Sequence, residues 1–244
     1  MNILIYTDNV STNHLLYYAL GRLRGKESIY FANANEILNG ALTNKIDLFV
    51  MPGGASRYKA AKLNGAANRA IKQYVENGGR YLGICAGAYM ACELTEWAKD
   101  KPHEIITRNE LAFFPGSAVG PIEAFGRGDN YNQTDARLVT LEWDGKPVTS
   151  LYLGGCVFQP STTEGYQILA TFSELPEKPA AVVCGDYGKG RWLLSSTHPE
   201  YDDEAIELVQ FDVIGNDYKD FARLPADRPL SLNLLDQQLI TLFA

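Results

Sequence analysis

The chain has 244 residues, of which 46% are hydrophobic and 21% are charged, a balance typical of an ordinary globular fold. Its 22 Lys and Arg residues against 29 Asp and Glu residues give a net charge of −7, which argues against binding to nucleic acid or to anionic membranes through bulk charge. The composition also excludes collagenous, coiled-coil and wholly disordered chains.

No stretch approaches the roughly 18 unbroken apolar residues of a transmembrane helix. The N-terminus lacks a basic leader and soon becomes polar, so we interpret it as a first strand and not as a signal peptide. The four cysteines (Cys85, Cys92, Cys156 and Cys184) form no CxxC pair and are too few for a disulfide framework. We therefore expect a cytoplasmic protein with reduced thiols.

Short apolar runs alternate with amphipathic segments over the first hundred residues, and this pattern predicts strands that alternate with helices. The expected elements are strand 2–7, a helix from about 12 to 23, strand 28–33, helix 34–41, strand 47–54, helix 58–78, strand 80–87 and helix 88–97. Because the runs are apolar on both faces, they predict an α/β fold with a doubly wound, mostly parallel sheet and flanking helices.

The second half of the chain has mostly strand patterns separated by Gly and Pro turns. We expect additional strands at 136–143, 149–158, 166–173 and 180–196, with a hairpin turn over 186–190. No linker or repeat interrupts the sequence, and residues 1–244 are expected to form one domain.

Four other segments carry weaker expectations. We expect an exposed loop over residues 97–104. The apolar segment 111–121 is expected either to cross the domain and fill its core or to form a wall over the site. Helices are expected at about 203–211 and 231–243. The second helix is expected either to pack on the domain or to form a dimer interface.

The turn at Cys85 is the most informative feature of the sequence. Gly83 and Gly87 surround it between a predicted strand and a predicted helix, a pattern that permits a tight, strained turn with one side chain pushed outward. At the carboxyl end of a parallel strand and before a helix, Cys85 stands where backbone N–H groups favour a thiolate. We interpret Cys85 as a nucleophile.

A thiol nucleophile needs a base, and His198 ends another apolar run. Glu200 lies two residues further on, so that in extended chain it faces the same way and could orient the imidazole ring. His14, at a helix start, and His103, in a charged loop, are better explained as solvated or capping residues.

The paired glycines Gly53 and Gly54 end a third strand. Glycines let a backbone N–H approach a substrate closely, and a tetrahedral oxyanion needs two such donors. We predict that the N–H groups of Gly54 and Ala86 form this pair.

These motifs resemble the class I glutamine amidotransferase-like superfamily, in which a cysteine on a nucleophile elbow works with an H-P-E motif. FVMPGG (49–54), GICAGAY (83–89) and STHPEY (196–201) occur here in the superfamily's order. The resemblance implies a flavodoxin-like fold and a triad of Cys85, His198 and Glu200.

A closer resemblance covers nearly the whole chain. The segments at 70–89, 111–121 and 151–158 are similar to the N-terminal domain of eukaryotic biotin–protein ligases, which also occurs as a free-standing protein. No GRGRxG-like biotinyl-adenylate loop is present, so biotin ligation itself is not implied. The chain length leaves no room for a ligase domain, and we expect any released ammonia or acyl group to pass to water or to a separate acceptor protein.

The elbow departs from the usual glutaminase pattern G-x-C-x-G-x-Q with a Leu after the Cys. Ala86 stands at the Leu position, and Tyr89 stands at the position of the Gln that helps to hold substrate glutamine. We therefore expect Tyr89 in the substrate-binding region and a small amide or ester substrate other than glutamine, or none.

Three functions remain open from the sequence. The first is a cysteine-dependent amide hydrolase or amidotransferase-like enzyme. The second is a non-catalytic binding or regulatory module that keeps the fold. The third is a related thiol-elbow chaperone or protease, in which an acidic residue from an early strand end, here Asp8, sits beside the cysteine. We expect no cofactor, metal, nucleic acid or membrane; the oligomeric state is not predicted.

Overall fold

The computed structural model describes residues 1–8, 13–126, 136–205 and 233–244. The described strands are β1 Ile3–Tyr6, β2 Ile29–Ala32, β3 Leu48–Met51, β4 Arg80–Ile84, β5 Cys92–Trp97, β6 Ile105–Arg108, β7 Phe114–Gly120, β8 Arg137–Trp143, β9 Lys146–Tyr152, β10 Val157–Pro160, β11 Gln167–Phe172, β12 Ala180–Tyr187 and β13 Gly190–Ser195. The α-helices in the same ranges are α1 His14–Arg24, α2 Ala34–Leu38, α3 Ser56–Leu63, α4 Ala66–Glu76, α5 Ala86–Ala91 and α6 Leu234–Phe243.

The described strands form one mixed sheet. Its parallel part has the order β2-β1-β3-β4-β13, and the sheet continues through β12, β10, β7, β5 and β6, mostly by antiparallel pairing. Strands β11, β8 and β9 extend it from β12. The predicted α/β fold is confirmed, with a doubly wound parallel part over β2-β1-β3-β4-β13, flanking helices and additional strands in the second half.

Helices cover both faces of the parallel strands. Helices α1 and α6 pack on one face through leucines such as Leu16 and Leu239, and α2 to α5 pack on the other through residues such as Ile71. Because β1 and β3 are buried along their whole lengths, their residues are apolar at every position. The carboxyl ends of β1, β3, β4 and β13 lie side by side at one edge, and the candidate site lies there.

The predicted helix 58–78 is two helices in the structure. Helix α3 ends at Leu63, and α4 begins at Ala66 after Gly65, whose φ of 90° is unfavourable for other residues. The Gly65 N–H donates to Glu110 at 2.7 Å, so a contact distant in sequence fixes the break.

The prediction of a helix over 88–97 was wrong in its second half. Helix α5 ends at Ala91, and β5 pairs with β6 and β7. The Asn109 side-chain amide donates to the backbone carbonyls of Tyr89 and Cys92, which lie at the helix end. Strand partners far along the chain therefore override a local pattern that permits a helix.

The apolar segment 111–121 is mainly strand β7, so it fills the core. The hairpin over 186–190 is confirmed by the antiparallel pairing of β12 with β13. The C-terminal helix packs on the sheet through Leu235, Leu239 and Leu242. Most of the predicted helix 203–211 lies outside the described residues.

Residues 97–104 form turns between β5 and β6, and most of the loop is exposed, as expected.

Among the helices described, none combines the length and the apolar character that crossing a bilayer requires. All four cysteines are free and buried.

Candidate active site

Cys85 occupies a strained turn between β4 and α5. Its φ is 48° and its ψ is −106°, an unusual combination for a residue with a side chain. The turn is held because the Cys85 N–H donates to the Ser195 carbonyl at 2.9 Å and the Cys85 carbonyl accepts from the N–H groups of Ala88 and Tyr89. The elbow predicted from the sequence is therefore present.

Close packing explains the glycine after the elbow. A Cβ atom at Gly87 would lie 2.1 Å from the Met51 carbonyl oxygen of β3, a distance that no side chain can occupy. The absence of a side chain at Gly87 lets α5 begin directly against the parallel sheet.

His198 and Glu200 form a buried pair. His198 lies just beyond β13, where its N–H donates to the Leu151 carbonyl at 2.9 Å. Its Nδ1 lies 2.8 Å from Glu200 Oε1, and the two residues are only 3% and 4% exposed. The spacing of two residues thus places the carboxylate against the ring, as predicted.

The His198 ring faces the Cys85 side chain across Gly53. A Cβ atom built at Gly53 would lie 2.7 Å from Cε1 and 3.5 Å from Nε2 of His198, and 3.6 Å from Cβ of Cys85. Within the described ranges, Nε2 is buried and has no hydrogen-bond partner. The imidazole ring and the Cys85 side chain therefore border the same glycine position.

The electrostatics of the pair favour a protonated imidazole. Burial lowers the pKa of His198, but the charges of Glu200 and Cys85 and the hydrogen bond to Glu200 outweigh burial and raise the pKa to about 10. The raised pKa makes His198 a stronger base.

The predicted oxyanion donors lie on either side of the thiol. Ala86 is the first residue of α5, and Gly54 follows Gly53 with a φ of 112°. In the described part of the chain, neither N–H donates a hydrogen bond to the protein. Both groups are thus available to a substrate oxygen, and their role remains a prediction.

Tyr89 does not line an open pocket. It is 2% exposed, and its hydroxyl donates to the Gly155 carbonyl at 2.9 Å, while its ring packs against Trp97. The residue at the glutaminase Gln position therefore anchors the segment 153–156, and its place in the substrate-binding region remains a prediction.

The segment 153–156 reaches the thiol. The Cys85 Sγ lies 3.5 Å from the Leu153 carbonyl oxygen. The same segment is fixed by the Tyr152 hydroxyl, which donates to Gly155 at 3.0 Å, and by Ser196, which bonds both backbone groups of Cys156. The glycines at 154 and 155 permit this close approach of backbone to the site.

Lys59 is a functional candidate that the sequence analysis missed. It projects from α3, is fully buried, and lies 3.5 Å from Asp8 Oδ2. Lys59 lies four residues before the buried Leu63, so the two side chains share the inner side of the helix. This spacing is the only sequence signal for the burial of Lys59. Asp8 therefore pairs with a lysine, an arrangement that does not favour the predicted alternative in which Asp8 serves the cysteine.

The acidic residues after His198 hold this segment in place. Asp202 and Glu204 both pair with Arg22 of α1, and Asp202 Oδ1 accepts from the Ala205 N–H at 2.8 Å. No group of residues suited to hold a metal ion occurs in the ranges the structure describes. These carboxylates thus serve a helix start and an ion pair.

The fold and the elbow define the class of the protein: it has the fold of the class I glutamine amidotransferase-like proteins. A chain in the solved structure of PurLQS from Thermotoga maritima matches it with a TM-score of 0.55, covering 82% of this chain and 87% of that chain. The sequences are 12% identical, so this likeness concerns the fold alone.

The chain belongs to the family described as "Biotin-protein ligase, N terminal", whose family model matches residues 1–242. It is 34% identical over 170 residues to an uncharacterized protein of Chlamydia muridarum, covering 68% of this chain and 65% of that protein. It is 30% identical over 222 residues to the biotin–protein ligase of Schizosaccharomyces pombe, covering 86% of this chain and 35% of the ligase. The chain thus spans just under two thirds of one relative and about one third of the other.

Proposed function

We propose that the protein is a cysteine-dependent acyl-transfer enzyme, a hydrolase or amidotransferase that acts on a small amide or ester. One observation carries the proposal: the buried His198 binds Glu200 through Nδ1 and turns its unpartnered Nε2 towards the strained Cys85, within the part of the chain the structure describes. A base held by a third group beside a nucleophile is the arrangement that activates a thiol.

In the first half of the reaction the Cys85 sulfur attacks the acyl carbon of the substrate. The thiol proton passes to Nε2 of His198, and Glu200 stabilises the imidazolium. The carbonyl oxygen becomes an oxyanion that accepts hydrogen bonds from the N–H groups of Gly54 and Ala86. His198 then returns its proton to the leaving nitrogen or oxygen, the bond to it breaks, and a thioester on Cys85 remains.

In the second half an acceptor attacks the thioester. Water, or a nucleophile delivered by a separate acceptor protein, loses its proton to His198 and displaces the sulfur, which releases the acyl product and restores the thiol. The reaction needs no cofactor, and the free thiol suits a reducing cytoplasm.

The contacts of Tyr89 favour a substrate other than glutamine. Its hydroxyl is bound to the Gly155 carbonyl, so the side chain is occupied at the place where a glutaminase would contact the substrate. The substrate's remaining groups would then contact the backbone of the glycine segments around Cys85.

A second candidate, a non-catalytic binding or regulatory module, is favoured by the enclosure of the thiol. Cys85 is 6% exposed, and the Leu153 carbonyl occupies one side of its sulfur. A binding module requires only the shape of this edge of the sheet, and so its activity would survive loss of the sulfur.

Acyl probes distinguish the two candidates. The protein is incubated with a panel of amide and thioester activity-based probes, and covalent labelling and product release are measured for the wild type, Cys85→Ser and the control Cys184→Ser. We expect the wild type and Cys184→Ser to be labelled on Cys85 and Cys85→Ser to be inert. Labelling that is equal in Cys85→Ser, or absent from the folded wild type, would contradict the enzymatic proposal.

A further inference from the structure

A buried pair of opposite charges lies at the same edge of the sheet as the proposed nucleophile. The Lys59 ammonium is 3.5 Å from Asp8 Oδ2, and both side chains are at most 1% exposed. The same ammonium lies 5.2 Å from the centre of the Tyr6 ring. Burial of a charged pair costs desolvation free energy, so its presence here requires a reason other than stability.

The topology places this pair at the site. Asp8 follows β1, Lys59 lies on the helix that follows Gly54, and Cys85 follows β4, all at the carboxyl edge of the sheet. Helix α3 packs against α5, which begins directly after Cys85. In the strand order β2-β1-β3-β4, the chain reverses its winding between β1 and β3, the position where open α/β sheets form their crevice.

We propose that Lys59 is a positioning residue for the nucleophile: its ammonium, held by Asp8, stabilises negative charge on the Cys85 sulfur. The inference rests on the proposed nucleophilic role of Cys85 and adds a second cation to that of His198. An opposite charge in a water-poor site favours the charged form of a group strongly.

The charges around Lys59 support this arrangement. Burial lowers the pKa of Lys59 to about 8, while Asp8 and Cys85 act to raise it and Lys62 on the same helix opposes them. Helix α5 carries no charged residue. Since the coupling of Lys59 and Cys85 is mutual, the charge on the lysine favours charge on the sulfur. Lys59 keeps its proton below pH 8 and loses it above, so its effect is confined to neutral and acidic pH.

The test is the pH profile of Cys85 alkylation. Iodoacetamide is the probe, the modified cysteine is quantified by mass spectrometry, and the proteins are wild type, Lys59→Met, Lys59→Arg and the double variant Lys59→Met with Asp8→Asn. The double variant removes both charges, and so it keeps the test valid if Lys59→Met alone leaves Asp8 buried and destabilises the fold. Thermal melting establishes that each protein is folded.

We expect the charge-free double variant to react about tenfold more slowly than the wild type near neutral pH, as one opposite charge is removed. Its rate should approach that of the wild type above pH 8, where Lys59 is itself neutral, while Lys59→Arg should restore the rate throughout. A structural defect would lower the rate at every pH. A folded double variant that matches the wild type at neutral pH would overturn the inference and leave the role of Cys85 intact, whereas an unreactive wild-type Cys85 would overturn both.

Discussion

Replacement of His198 by asparagine is expected to slow the alkylation of Cys85 at neutral pH by at least about a hundredfold. The wild-type imidazole is buried, faces the thiol through Nε2 and is held by Glu200, so it takes the proton that otherwise stays on sulfur. Asparagine keeps a polar side chain of similar size at this position but cannot accept that proton.

Iodoacetamide kinetics with mass spectrometry measure this effect on folded protein. His103→Asn, in the exposed loop between β5 and β6, is the matched control and should react like the wild type. Glu200→Gln should react at an intermediate rate, because the amide oxygen still accepts from Nδ1 but no longer stabilises a charged ring. If His198→Asn reacted as fast as the His103 control, the histidine would have no part in activating the thiol.

Addition of a single methyl group at Gly53 is expected to reduce the reactivity of Cys85 by about a hundredfold, because a displacement of about 1 Å at a catalytic group can cost that much. The new Cβ would lie 2.7 Å from Cε1 of His198, so the ring must move. The ring cannot move without lengthening its 2.8 Å contact with Glu200, and Cys85 limits the space on the other side.

Gly126→Ala provides the control for the Gly53→Ala variant. A Cβ at Gly126 would lie 3.6 Å from the nearest atom, an ordinary contact, and the residue has a φ of −83°. Both variants are expected to fold, Gly53→Ala with a stability loss of about 1–3 kcal/mol from overpacking. Wild-type reactivity in Gly53→Ala would show that His198 and Cys85 do not act across this glycine.

The parts of the site that the sequence predicted are those set by local chain geometry. Gly83, Cys85 and Gly87 predicted the elbow because a tight strand-to-helix turn has its own spacing requirements. Glu200 could be placed against His198 because two residues of extended chain separate them. The parallel strands could be predicted because burial on both faces leaves continuous apolar runs.

The parts that the sequence did not predict depend on contacts between distant segments. The break before Gly65 needs Glu110, and the change from helix to strand at Cys92 needs β6 and β7. Lys59 looks like a solvated helix residue until Asp8 is seen beside it. The Leu153 carbonyl reaches Cys85 only because the predicted strand 149–158 is interrupted over 153–156, where Tyr89 and Ser196 hold the backbone.

The central claim is that Cys85 is an activated nucleophile, and its alkylation rate relative to free glutathione tests that claim most directly. The ratio is measured at pH 6, which lies well below the roughly 8.5 at which an ordinary thiol ionises. We predict that Cys85 in the native protein reacts faster than glutathione in spite of its burial, and that the other three cysteines, whose pKa values are raised by burial, stay unmodified. A Cys85 that reacts more slowly than glutathione, and no faster than Cys92, would contradict the account.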